Sequence, residues 1–170
     1  MLLVTSVSAQ NQCKSSNITV QFFSETPVEN IDAITMEANG VISLPKNQVA
    51  FSIPNKSFQF KKALMQEHFN EKYMESDKFP NSTFAGTVVE QVDLTKDGEY
   101  KLTVNGKLKI HGVENQITTP VFAKVQNGVI SMQAQLMVKL VDYKIEVPTI
   151  VFSKIAEEIK IIITTDFKIK

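Results

Sequence analysis

The feature that most constrains this chain is a strict alternation of apolar and polar residues over long runs. Tyr100, Leu102, Val104, Leu108 and Ile110 share one side, while Lys101, Thr103, Asn105, Lys107 and Lys109 share the other. Met132, Ala134, Leu136, Val138 and Leu140 likewise stand opposite Ser131, Gln133, Gln135 and Lys139. Near the C-terminus Ile159, Ile161, Ile163, Phe167 and Ile169 oppose Lys160, Thr164, Asp166 and Lys168. A period of two puts successive side chains on opposite faces of a strand, one dry and one wet. Half-wet strands are the antiparallel pattern, because buried parallel strands read as continuous apolar runs.

Turn signals divide the runs. Asn39-Gly40, Lys96-Asp97-Gly98 and Asn127-Gly128 each separate two alternating segments, as hairpin turns do. The pattern predicts strands over 17–24, 31–44, 47–53, 82–93, 99–111, 116–126, 129–140, 145–152 and 158–169. Residues 60–74, "FKKALMQEHFNEKYM", break it: Met65, Phe69 and Tyr73 recur every four residues, without Gly or Pro. That spacing predicts one amphipathic helix whose apolar stripe lies on the sheet. A sheet of about this size closes or doubles, since open edges invite aggregation. The expected fold is all-β: a closed antiparallel barrel of about eight strands with one helix across it.

Composition narrows the function. Lys+Arg 18 against Asp+Glu 18 leaves a formal charge of +0, without the basic excess that nucleic acid requires. Phe 11 against Tyr 3 and Trp 0 favours a greasy interior, because phenylalanine has no polar atom to satisfy. At 170 residues the chain suits a single domain, here expected over residues 17–170. Cys13, the one cysteine, has no partner in the chain for a disulfide, and an inert role is expected for it. The opening "MLLVTSVSAQ" runs from apolar residues to small ones at Val7 and Ala9, and residues 1–9 are read as the remnant of a signal peptide. No later segment reaches the ~18 apolar residues of a spanning helix. The outward Lys101, Lys107, Lys109 and Lys168 argue against a membrane barrel, whose outer face is apolar.

Candidate chemistry is sparse. His68 and His111 lack the neighbours a metal site or acid–base pair needs. His68 is expected to be an ordinary helix-surface or interface residue, with a hydrogen-bonding group near a cavity mouth as the alternative, and His111 to be structural. Glu157, Glu158 and Asp93 read as solvated strand ends, and Lys61-Lys62 as a solvated face, the alternative being contact with a ligand headgroup or membrane phosphate at a cavity rim. Asn17, Asn55 and Asn81 fit the N-glycosylation pattern. Phe22, Phe51, Phe58, Phe60, Phe84 and Phe122 either fill a dry core or line a cavity.

Two segments carry a resemblance. "MESDKFPNSTFAG" holds Asp77, Phe79, Pro80, Thr83 and Phe84 after the helix. "VNGKLKIHGVENQITTPVFAKV" holds Gly106, Leu108, Ile110, Gly112, Val113, Pro120 and Val121. In this order the chain resembles the YceI-like family. It departs at His111, where a basic residue is common, and at Asn115–Thr119, a turn more polar than usual. The resemblance implies a lipocalin-like barrel with a long apolar channel, no catalytic residues and a bacterial periplasmic or secreted setting linked in some members to stress. The implied partner is a long-chain isoprenoid or similar amphiphilic lipid, such as an isoprenoid quinone or polyprenyl chain. A homodimer is left open.

On this reading Gly112 supplies a corner that a side chain would obstruct, while Ile117 and Val121 join the inward wall. The expected lining comprises Phe22 and Phe51, Leu64 and Phe69 of the helix, and Phe84. From the later strands it adds Leu102, Leu108, Ile110, Leu136, Val138, Ile161 and Ile163. The rival expectation is a structural or interaction protein with a packed barrel. The discriminating observation is the interior: a continuous tube or filled core.

Overall fold

The computed structural model describes residues 12–169; the expected signal remnant over 1–9 lies outside them. The strands are β1 (Gln12–Glu25), β2 (Asn30–Thr35), β3 (Asn39–Ser43), β4 (Gln48–Pro54) and β5 (Gln59–Phe60). After helix α1 (Ala63–His68) come β6 (Asn81–Val88), β7 (Gly98–Ile110), β8 (Val113–Gln126), β9 (Val129–Lys139) and β10 (Glu158–Lys168). Every pairing is antiparallel, and β10 returns to β1. The ring β1-β3-β4-β6-β7-β8-β9-β10 is therefore a closed eight-stranded barrel. The alternation placed these walls: Leu102, Val104, Leu108 and Ile110 of β7 are buried while Lys101, Lys107 and Lys109 are exposed.

Several expected boundaries are corrected. Residues 31–44 form two strands, because they follow one edge of β1 at two heights. Val20 to Glu25 pair with β2, whereas Gln12 to Lys14 pair with β3. A bend separates them, where the Thr35 hydroxyl accepts the Glu37 N–H at 3.1 Å. Asn39-Gly40 consequently opens β3 and is not a hairpin tip. β1 begins before residue 17, and a bulge between Ser15 and Asn17 hid its first part. Cys13 and Ile18 are both buried although their parity differs, since the bulge inserts one residue between them. β6 stops at Val88, short of 93; Leu94 then folds back, 2% exposed, to plug that end of the barrel. Asn115–Thr119 lies within β8 and makes no turn.

Residues 145–152 contain no strand. The chain between β9 and β10 makes 3-10 turns at Leu140–Tyr143 and Thr149–Lys154 and crosses the open end of the barrel. Ile145 is buried there, so its apolar spacing serves a covering segment and not a ladder. The helix is also shorter than 60–74. Phe60 pairs with Ala33 of β2, and α1 starts only at Ala63. It continues as a π turn, Phe69–Tyr73, closed by the Met74 N–H donating to the Phe69 carbonyl at 2.8 Å.

His111-Gly112 and Asn127-Gly128 both make two-residue turns with positive φ at each position, 51° and 73° in the first and 52° and 76° in the second. His111 is anchored as well. Its Nε2 lies 2.6 Å from Glu75 Oε2 and its Nδ1 3.1 Å from the Tyr143 carbonyl, with the Phe79 ring edge-on at 4.8 Å. The hydrogen bond from His111 holds the Glu75 carboxyl below its ordinary value of 4.5. A lowered carboxylate contributes stability above that ordinary value and loses it as pH falls through the lower folded value. Acid unfolding should therefore steepen below pH 4.5 in the parent protein. Glu75→Gln should show a shallower acid limb in denaturation across pH; equal limbs would remove the coupling.

Candidate functional site

Inward residues leave the barrel filled at one end and hollow at the other. At the β3–β4 end, Ile42, Ala123, Ile130 and Phe167 are all 0% exposed and pack with Leu94 and Val125 into a solid core. At the opposite end a chamber of about 440 Å³ opens beneath α1 and the β9–β10 segment. That volume falls within the ~300–1,000 Å³ of small-molecule sites. Val20, Ile53, Leu108, Leu136 and Ile163 border both this chamber and a second, narrower one of about 80 Å³ beneath it. These five residues form a collar between the two spaces. The interior is thus neither the continuous tube nor the filled core that sequence reasoning offered as alternatives.

Each expected lining residue borders one of these spaces. Phe22, Leu64, Phe69, Ile110, Val138 and Ile161 line the wide chamber alone. Phe51, Phe84 and Leu102 line the narrow one, and Leu108, Leu136 and Ile163 border both. Leu64 stands on the rim, 61% exposed. Phe58 and Phe60 join the wide chamber, but Phe122 points outward and is 43% exposed. Its parity foretold this, because the flanking Val121 and Ala123 face inward. The covering segment contributes Ile145, Val151 and Ile155, which strand-based reading did not assign to the site.

Four phenylalanines form the roof. The Phe22 ring lies 5.1 Å from Phe58, 5.7 Å from Phe60 and 5.4 Å from Phe69. The stripe Met65, Phe69 and Tyr73 faces the chamber as its spacing required, and burial pushes the Tyr73 hydroxyl pKa upward. Three polar side chains of the wall, Asn55, Ser82 and Ser24, are internally satisfied. Asn55, fully buried, donates its amide to the Phe79 carbonyl at 2.7 Å and accepts the Ser82 hydroxyl at 2.8 Å. Ser24 Oγ accepts the Ala156 N–H at 2.8 Å, tying the covering segment to β1. Groups paired this way cost little to bury and leave few sites for hydrogen bonding to a ligand.

Among the described lining residues the charged side chains are Glu29, Lys62 and Lys154, which stand at the mouth, and His68 adds an imidazole. Lys62 Nζ pairs with Glu29 Oε1 at 3.0 Å, and Lys61 with Asp32 at 2.7 Å. Among the described residues no group of three or more His, Cys, Asp or Glu could hold a metal ion. None of the described helices is long and apolar enough to cross a membrane. What remains is a greasy pocket with a polar entrance, suited to an amphiphile whose tail enters first.

Comparison with known proteins gives a consistent result. Residues 11–167 match the model of the YceI-like domain. Among solved structures, a polyisoprenoid binding domain from Saccharophagus degradans implicated in plant cell wall breakdown superposes with a TM-score of 0.82 at 15% identity, covering 95% of this chain and 99% of that one. BcnA of Burkholderia cenocepacia gives 0.76 at 16% identity, covering 88% and 95%. The YCEI protein of Campylobacter jejuni gives 0.68 at 19%, covering 86% and 89%. At such identities these likenesses establish the fold. No curated protein sequence matches the chain.

Proposed function

The chain belongs to the YceI-like domain family, and from that premise we propose that it is a non-enzymatic carrier or sequestering protein for a single-tailed isoprenoid lipid. The observation that carries this reading is the chamber of about 440 Å³, walled by apolar side chains and open at one end. Each methylene-sized group that leaves water contributes about 0.8 kcal/mol, so a prenyl chain needs no hydrogen bonds to be held. Chemistry has little foothold on such a wall: among the described residues, the ionisable groups bordering the chamber besides Tyr73 stand at its mouth. The Saccharophagus degradans neighbour, described as a polyisoprenoid binding domain, supports the ligand class. A quinone or polyprenyl ligand, an extracytoplasmic location and a role under stress belong to the same proposal. Their support is the family resemblance and the composition of the first ten residues.

Protein purified without detergent should carry an extractable prenyl-chain lipid, visible as a mass increment by native mass spectrometry. Alternatively, stripped protein should take up an added prenol. Protein that is clean on isolation and refuses every prenol would overturn the carrier reading.

A further inference from the structure

Phe51 on β4 and Phe84 on β6 sit directly opposite each other in the ladder, and both face the narrow chamber and not the wide one. Their rings lie against glycines of the barrel wall. A Cβ built on Gly40 would fall 2.7 Å from the Phe51 ring, and one on Gly106 would fall 2.5 Å from the Phe84 ring. Gly86, paired with Gly106, offers Phe84 the same clearance at 2.8 Å. Contacts this short exclude a side chain unless the ring moves, so the glycines act as recesses that receive the two rings. With the rings recessed, a space of about 80 Å³ survives below the collar; below that, Phe167 lies 6.2 Å from Phe51 in the solid core.

We infer that Phe51 and Phe84 set the length of the apolar chain that this protein accepts, which passes the collar and ends in the narrow chamber that their rings border. The inference rests on the carrier reading and sharpens it. The preferred ligand is a single-tailed amphiphile short enough to end at the narrow chamber, not one that threads the whole barrel. Removing a ring lengthens the space, whereas filling a recess displaces its ring toward the axis and shortens it. Gly40 is the clean site for the second change, because the three atoms nearest its missing Cβ are all side-chain atoms, of Phe51 and Ile18. At Gly106 the Ala85 carbonyl also stands at 2.5 Å, so backbone would have to shift.

The test is the affinity of stripped protein for geraniol, farnesol, geranylgeraniol and solanesol, read by displacement of an environment-sensitive dye. Phe84→Ala should move the optimum to a longer prenol and Gly40→Ala to a shorter one. The affinity ratio between adjacent prenols should change by about tenfold, as burial of two methylene groups gives. Phe84→Leu, which keeps apolar bulk but shortens the reach, moves the optimum the same way should the alanine variant fail to fold. An optimum that stays fixed in the folded variants while the parent still binds overturns the length rule and leaves the carrier reading standing. A parent that binds none of the four overturns the carrier reading, and the rule with it.

Discussion

Ile161→Trp is expected to abolish binding of a prenyl chain while leaving the barrel folded, with a melting temperature equal to or above that of the parent. Ile161 lies opposite Phe22 of β1 and Leu136 of β9, facing the wide chamber from the middle of its wall. Enlarging a side chain in a packed core usually costs about 1–3 kcal/mol in forced rotamers and backbone shifts. Here the indole has about 440 Å³ of space to enter, so that cost is largely avoided and new apolar contact is gained. The same volume is then denied to a ligand. A loss of roughly 2.7 kcal/mol of binding corresponds to a hundredfold weaker dissociation constant. Thermal melts and prenol titrations on one preparation would check both halves. A well-folded variant that binds like the parent would show that the tail lies elsewhere.

The second large effect is at the β7–β8 turn, where Gly112→Ala should cost several times what Gly128→Ala costs. Both glycines close two-residue turns at nearly the same φ, 73° and 76°. An alanine at either position pays for a left-handed backbone, about 1–2 kcal/mol. Gly128 has nothing within 4 Å of its missing Cβ, so its substitution pays only that. At Gly112 the new methyl would stand 2.4 Å from the Phe79 ring, which itself packs on His111. Moving that ring disturbs the buried junction where the turn meets the β9–β10 segment, and a total of about 3–5 kcal/mol is in the range of core disruption. Urea denaturation of the two variants gives the difference directly. Equal losses would mean that Phe79 is free to move and does not anchor the turn.

What the chain revealed unaided varied with how local the cause was. His111-Gly112 and Asn127-Gly128 were legible as corners because the turn type depends on the two residues that occupy it. Asn39-Gly40 has the same dipeptide and makes no hairpin, because β3 takes its register from β1 and β4 and not from its own first residues. The bulge near Ser15 concealed the start of β1 by switching parity without any turn residue to signal it. Ile145 alternated convincingly with its neighbours, yet its burial comes from crossing the barrel mouth.

For the site, the sequence by itself determined which residues face inward: parity is a property of the extended backbone, and it placed Leu108, Leu136, Ile161 and Ile163 on the inner wall. It even contained the outward direction of Phe122. Only the tertiary structure decided how much of the interior is empty. Whether two inward phenylalanines meet across the axis or lie back on the wall depends on what stands on the neighbouring strand. For Phe51 and Phe84 that is glycine, brought alongside by pairings between segments distant along the chain. Hollow volume is a difference between the girth of a closed ring and the bulk of everything pointing into it, and no local stretch of sequence holds both quantities.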